Sequence, residues 1–258
     1  MHKNYIFDLY GTLIHIHTDE NDMFLWQKMA EIYSAYGAEY DGYGLKEAYA
    51  HICREEEENI LQKTGCAFAE IDLAKVFQRL LKEAPAKHRT KHRITAWGEW
   101  TAGIANAFRT ISRRSFGLYP NTVPVLQDLQ DHGCGIYLLS NAQRLFALPE
   151  MEMCGLTPFF DGIFYSSDHG VRKPDPLFLQ ELLQRYGLKE EECVLIGNDF
   201  ETDIASAMHA GMDSVYLNTY HYPAAEAERR FSEVRMNEAY DVRMILSGDI
   251  AELRRGER

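Results

Sequence analysis

The chain has no run of ~18 apolar residues, the length a membrane-spanning helix needs. No two of its cysteines have the CxxC spacing of a zinc or redox motif. The five cysteines, Cys53, Cys66, Cys134, Cys154 and Cys193, are odd in number and scattered. That argues against a disulfide framework and predicts free thiols in a reducing compartment. Basic residues are also outnumbered, with 27 Lys and Arg against 39 Asp and Glu, for a net charge of −12. An acidic surface repels polyanions at long range. Nonspecific nucleic-acid binding is therefore not expected, while a small anionic substrate still fits a locally basic pocket. Internal repeats and low-complexity linkers are missing as well. No secretory leader is visible, since Met1 is followed almost at once by the strand-like Asn4-Tyr5-Ile6-Phe7-Asp8. The expected protein is cytoplasmic, without membrane contact, and a monomer or homodimer.

What is present is an ordinary globular composition, 46% hydrophobic and 26% charged over 258 residues. That is long enough to bury a sizeable core without metals or disulfides. The apolar run Tyr5-Ile6-Phe7 reads as a buried strand ending at a carboxylate, Asp8. From about residue 18 to 115 the spacing turns helical. Stripes run through Leu25–Tyr36, Leu45–Lys63, Leu73–Leu81 and Ile94–Arg113, the last interrupted by Gly98 and Gly103. No β-rich run is apparent there, so an all-helical block is predicted. The run Glu55-Glu56-Glu57-Glu58 reads as a solvated helix face.

After Tyr119-Pro120 short apolar strands alternate with helices. Strands are predicted at Gly135–Leu139, Ile163–Tyr165, Cys193–Ile196 and Ser214–Leu217, and helices near Val125–Leu129, Leu177–Tyr186 and Asp203–Ala210. This alternation indicates a parallel sheet covered on both faces. His221–Arg258 reads as surface helices. The predicted architecture is an α/β core with a Rossmann-like parallel sheet, residues 1–16 and 116–258, and a helical insert, residues 17–115. Ligands of open α/β sheets bind beyond the carboxyl ends of the strands. Those ends carry Asp8, Ser140 and Asp199, with Lys173 nearby.

Four segments in order then carry a resemblance: Phe7-Asp8-Leu9-Tyr10-Gly11-Thr12-Leu13, Leu138-Leu139-Ser140-Asn141, Arg172-Lys173-Pro174-Asp175-Pro176 and Gly197-Asn198-Asp199-Phe200-Glu201-Thr202-Asp203. Together they resemble the motifs of the haloacid dehalogenase superfamily, and the insert is similar to its C1-type helical cap. The resemblance implies a hydrolase in which Asp8 is the nucleophile, a carboxylate that splits one displacement into two easier steps. Gly11, Thr12, Ser140, Asn141 and Lys173 would hold the anionic group. Lys173 would keep Asp8 ionised. Mg²⁺, a hard cation that prefers oxygen ligands, would be held by Asp8, the carbonyl of Tyr10, and Asp199, with Asp203 behind or in place of it.

One position departs from the phosphatase pattern. The family's phosphatases place a second aspartate two residues after the nucleophile as acid and base. Here that residue is Tyr10, which donates a proton but is a poor base at neutral pH. Asp-x-Tyr-Gly-Thr resembles the metal-independent 2-haloacid dehalogenases, whose halide leaves without protonation. Against that stand the acidic fourth motif and the first insert helix, which offers Lys28 but no arginine before Arg54. Lys28 lacks the bidentate fork of an arginine. Three readings follow: a Mg²⁺-dependent phosphatase of a small phosphorylated metabolite, a metal-independent dehalogenase, and a degenerate member that binds without turnover. A phosphatase needs a replacement base. His15, His17 and His169 lie near the first and third motifs, although each also reads as a loop residue. Phe24, Trp26, Tyr33, Tyr36, Trp97 and Trp100 read as the core of the insert rather than as a substrate wall.

Overall fold

The computed structural model describes residues 2–85, 94–234 and 240–256. The chain opens with β1 (Asn4–Phe7), β2 (Ile14–Thr18) and four helices, α1 (Met23–Ser34), α2 (Gly42–Thr64), α3 (Leu73–Lys82) and α4 (Trp97–Ser112). It continues through β3 (Arg113–Leu118), α5 (Thr122–Asp131), β4 (Gly135–Ser140), α6 (Arg144–Met153) and β5 (Gly162–Tyr165). Next come α7 (Ser166–His169), α8 (Pro176–Tyr186), β6 (Cys193–Gly197), α9 (Ala205–Ala210), β7 (Asp213–Leu217), α10 (Ala224–Val234) and β8 (Val242–Ile245).

Six strands form one sheet in the order β5-β4-β1-β6-β7-β8, and every neighbouring pair is parallel. The fold is the α/β, Rossmann-like arrangement that the strand–helix alternation predicts. Its apolar strands have a direct cause. Along β1, Tyr5 and Phe7 pack on one face with Val125, Leu126 and Leu129 of α5. Ile6 packs on the other with Phe178, Leu179, Leu182 and Leu183 of α8. A strand buried on both faces has no position for a polar residue. β1 lies between β4 and β6, where the sheet order reverses direction. Asp8 therefore leaves the sheet at its topological switch point.

The helices α1–α4 share a separate core of Trp26, Met29, Tyr33, Val76, Phe77 and Phe108, onto which Phe146 of α6 also packs. Of the aromatic residues in this region, Trp26, Tyr33 and Trp100 are buried in that core, whereas Phe24 is exposed. Two fasteners tie the end of α2 and the start of α3 to the sheet side. The Asp175 carboxylate accepts from the N–H groups of Ala67 at 2.8 Å and Phe68 at 3.3 Å. Gln143 accepts from Leu73 N at 2.9 Å and donates to Glu70 at 3.0 Å and the Ile71 carbonyl at 2.8 Å.

Four expectations are corrected. The insert is not purely helical at its ends, because β2 and β3 pair as an antiparallel ribbon from Ile14↔Leu118 to Thr18↔Arg113. Ile14-His15-Ile16-His17 has the period of a strand, but histidine masks the apolar contrast. The tail is not all helix, because β8 adds a sixth strand beside β7; within that tail, 235–239 and 257–258 lie outside the described residues. Gly98 and Gly103 do not interrupt α4, which runs unbroken from Trp97 to Ser112. Nor are Glu55 and Glu56 merely solvated, since both accept from Arg79 of α3, at 2.7 and 2.8 Å.

Candidate active site

Asp8 follows β1 directly, and its backbone N–H donates to Ile196 of β6 at 2.9 Å. The next residues turn sharply. Gly11 sits at φ +88°, and a Cβ there would meet the Asn198 side chain at 2.5 Å. Both the conformation and the space demand glycine. Thr219 Oγ1 donates to the Gly11 carbonyl at 2.5 Å, so the loop after β7 fixes the loop after β1.

Lys173 is the centre of the site. It is buried, and Nζ donates to Asp8 Oδ1 at 2.8 Å and to Asp203 Oδ1 at 2.6 Å. Burial disfavours the ammonium, but Asp203 and Asp8 outweigh it and hold its pKa above the ordinary value. Burial also pushes Asp203 up to about 7; Lys173 opposes that rise and Asp8 adds to it. One cation thus balances one of two buried carboxylates. The segment Phe200–Ile204 is wound as a π-helical turn. Its Asp203 returns to the end of β6, where Oδ2 accepts from the N–H of Asn198 at 3.0 Å and Asp199 at 3.1 Å. Such turns recur at functional sites.

The other predicted residues fall into two groups. Thr12 Oγ1 lies 3.1 Å from Asp8 Oδ2 and 3.2 Å from Asn198 Oδ1, inside the site. Ser140 is buried at the end of β4, and its hydroxyl makes no hydrogen bond to a described residue. Asn141 instead clamps the Lys173 backbone, accepting from its N–H at 2.8 Å and donating to its carbonyl at 2.9 Å. Asp199 is exposed, and its carboxylate accepts from the N–H and hydroxyl of Thr202 at 2.8 and 3.0 Å. At the end of β6 it is Asn198 that reaches the loop after β1, meeting Thr12 and crowding Gly11. Among the described residues, no three His, Cys, Asp or Glu side chains are grouped as a metal site.

Tyr10 turns its hydroxyl away from Asp8. It donates to Glu150, which is buried on α6 and also accepts from Arg109 of α4 at 2.8 and 3.1 Å. Arg113 stands 3.5 Å from the same carboxylate. Burial and then Glu150 raise the Tyr10 hydroxyl well above its ordinary pKa, against the pull of Arg109. It is held as a neutral donor and is not placed to shuttle protons.

A profile of haloacid dehalogenase-like hydrolases matches residues 2–211. The chain belongs to the haloacid dehalogenase-like hydrolases. Among relatives of this hydrolase is the glyceraldehyde 3-phosphate phosphatase of Methanothermobacter thermautotrophicus, 28% identical over 70% of this chain and 82% of that one. A phosphoglycolate phosphatase of Vibrio cholerae is 34% identical over 44% of this chain and 51% of its own. A 2-haloacid dehalogenase of Pseudomonas syringae has the same fold at a TM-score of 0.64 and 17% identity, covering 98% of this chain and 96% of that one.

Sequence reasoning missed Asn198, Arg109 and Glu150 in this hydrolase. Glu150 had a signal. It falls on the buried stripe Phe146, Ala147, Glu150, Met151 of α6, where an unpaired acid would be costly. Arg109 answers it from a helix 41 residues earlier, a distance no local pattern reveals.

Proposed function

We propose that this hydrolase is a phosphatase acting on a small phosphorylated metabolite, with α1–α4 serving as the cap over its site. The observation that supports this most is the buried Asp8–Lys173–Asp203 group at the sheet's switch point. It joins a nucleophilic carboxylate to a fixed cation for the phosphoryl oxygens. Relatives named as phosphatases of glyceraldehyde 3-phosphate and phosphoglycolate favour a short phosphorylated substrate.

Asp8 Oδ attacks phosphorus, and the leaving alcohol departs as the acyl phosphate forms. Lys173, the Ser140 hydroxyl and the N–H groups of the loop after β1 hold the phosphoryl oxygens, which gain charge in the transition state. Water then cleaves the acyl phosphate and restores Asp8.

The donor chemistry fits Mg²⁺, which binds through one or two carboxylates together with substrate phosphate. Asp8, the Tyr10 carbonyl and the Asn198 amide would hold it, with Asp199, whose Oδ1 alone is taken by Thr202, able to offer its second oxygen. Both oxygens of Asp203 already meet N–H donors, so Asp203 stays with Lys173. When bound, the cation neutralises charge on the transferring phosphoryl group.

The test is hydrolysis of p-nitrophenyl phosphate, phosphoglycolate and glyceraldehyde 3-phosphate with Mg²⁺ and with EDTA. Mg²⁺-dependent turnover, lost in Asp8→Asn, is expected. Turnover that survives in Asp8→Asn would refute the nucleophile.

One observation favours a second reading. With Tyr10 committed to Glu150, the usual acid is missing, and dehalogenation needs none. Halide release from 2-chloropropionate in EDTA, without phosphate-ester turnover, would replace the phosphatase reading.

A further inference from the structure

A cavity of about 140 Å³ opens beside the Asp8 loop, lined by Tyr10, Gly11, His15, Ser115, Tyr119 and Tyr220. Its Tyr220 wall borders the site, since Tyr220 also lines a neighbouring cavity with Asn198 and Asp199. His15 lies on β2, half-buried, with its ring edge-on to Tyr119 at 5.8 Å. Its ring nitrogens make no hydrogen bond to a described residue. On the paired strand β3, the facing residue is Gly117. A Cβ there would stand 2.6 Å from His15 Nε2, so a side chain at 117 would push the ring from its place. The other two histidines near the motifs are placed differently. His17 is exposed. His169 pairs with Glu181 at 3.0 Å and stacks on Phe164 at 4.3 Å, lining a separate groove with Cys66 and Leu177.

We propose that His15 is the catalytic acid and base that replaces the missing aspartate, acting from the cavity into which the leaving group of a small phosphate ester projects. The inference rests on the phosphatase reading. In the first step Asp8 Oδ bonds to phosphorus, the P–O bond to the alcohol breaks, and imidazolium gives its proton to the departing oxygen. In the second, neutral imidazole takes a proton from water as its oxygen bonds to phosphorus. The P–O bond to Asp8 then breaks, releasing inorganic phosphate. The sum is ester plus water to alcohol plus phosphate, with His15 returned as imidazolium.

The experiment compares wild type and His15→Gln by rapid mixing with p-nitrophenyl phosphate and with phosphoglycolate, in Mg²⁺. Nitrophenolate leaves without a proton, whereas an alkoxide does not. His15→Gln is expected to keep the stoichiometric nitrophenolate burst at its wild-type rate. The later turnover falls by about 100-fold or more, the range of acid–base catalysis. A phosphate adduct on the chain then accumulates, read by intact mass after acid quench. With phosphoglycolate both the adduct and turnover are lost. Gly117→Ala, which displaces the ring without touching it chemically, should show the same pattern in weaker form. Turnover within a few fold of wild type in His15→Gln would overturn the role of His15 alone. So would burst and turnover falling together. A wild type that turns over neither ester would overturn the phosphatase reading and this inference with it.

Discussion

Asp203 carries a proton-linked stability that its burial imposes, against the pull of Lys173. Its folded pKa of about 7 lies above the ~3.9 of a free aspartate. Between those values the folded chain binds more protons than the unfolded one, so stability falls as pH rises. The contribution of this residue is fully present below pH ~4 and is lost through pH 7. Asp203→Asn should flatten that part of the profile, checked by urea unfolding at several pH values between 4 and 8. A slope equal to that of wild type would remove Asp203 as its source. At this scale the strand end made Asp8 legible, whereas Lys173 and Asp203, each several residues past a strand, were legible through the motifs around them, and the structure brings all three together. The sequence was least legible for Asn198 against Asp199. The two are adjacent and both polar, and no spacing rule tells which of them reaches the loop after β1 and which turns to Thr202.

Between elements, the Tyr10–Glu150–Arg109 cluster joins the loop after β1 to α6 and to α4. Tyr10→Phe removes one donor from a buried carboxylate and is expected to cost about 1–3 kcal/mol, measured by denaturant unfolding. Phosphatase kcat should stay within a few fold, because the hydroxyl does not face Asp8. A large loss of kcat with unchanged stability would place that hydroxyl in the chemistry instead. The parallel strands were readable from their apolar runs, since burial on both faces removes polar residues from them. The β2–β3 ribbon was not, because its strands carry His15, His17, Arg113 and Arg114 on a surface only half covered. β8 was hidden for a similar reason, with Arg243 in the middle of an edge strand.

For the molecule as a whole, the sheet core and the α1–α4 core are separate clusters of buried side chains joined through Phe146, Gln143, Asp175 and Glu150. A ligand that binds only the folded state stabilises it by mass action, by ~2.7 kcal/mol at a hundredfold excess over Kd. Inorganic phosphate with Mg²⁺ is therefore expected to raise the melting temperature, and Lys173→Met, which removes the fixed cation, should abolish the rise. An equal rise in both proteins would place the anion elsewhere.

The β2–β3 ribbon also makes the helical region exchangeable. The chain leaves the sheet core along β2 and returns along the strand hydrogen-bonded to it, so the two ends of α1–α4 meet side by side. A different set of helices that still offers Glu150 a cation can be spliced between those strands without re-routing any connection of the six-stranded sheet. Such an exchange has one fixed condition, a cation delivered from the inserted helices to Glu150, so the ribbon is a seam in the chain path and Arg109 the stitch across it.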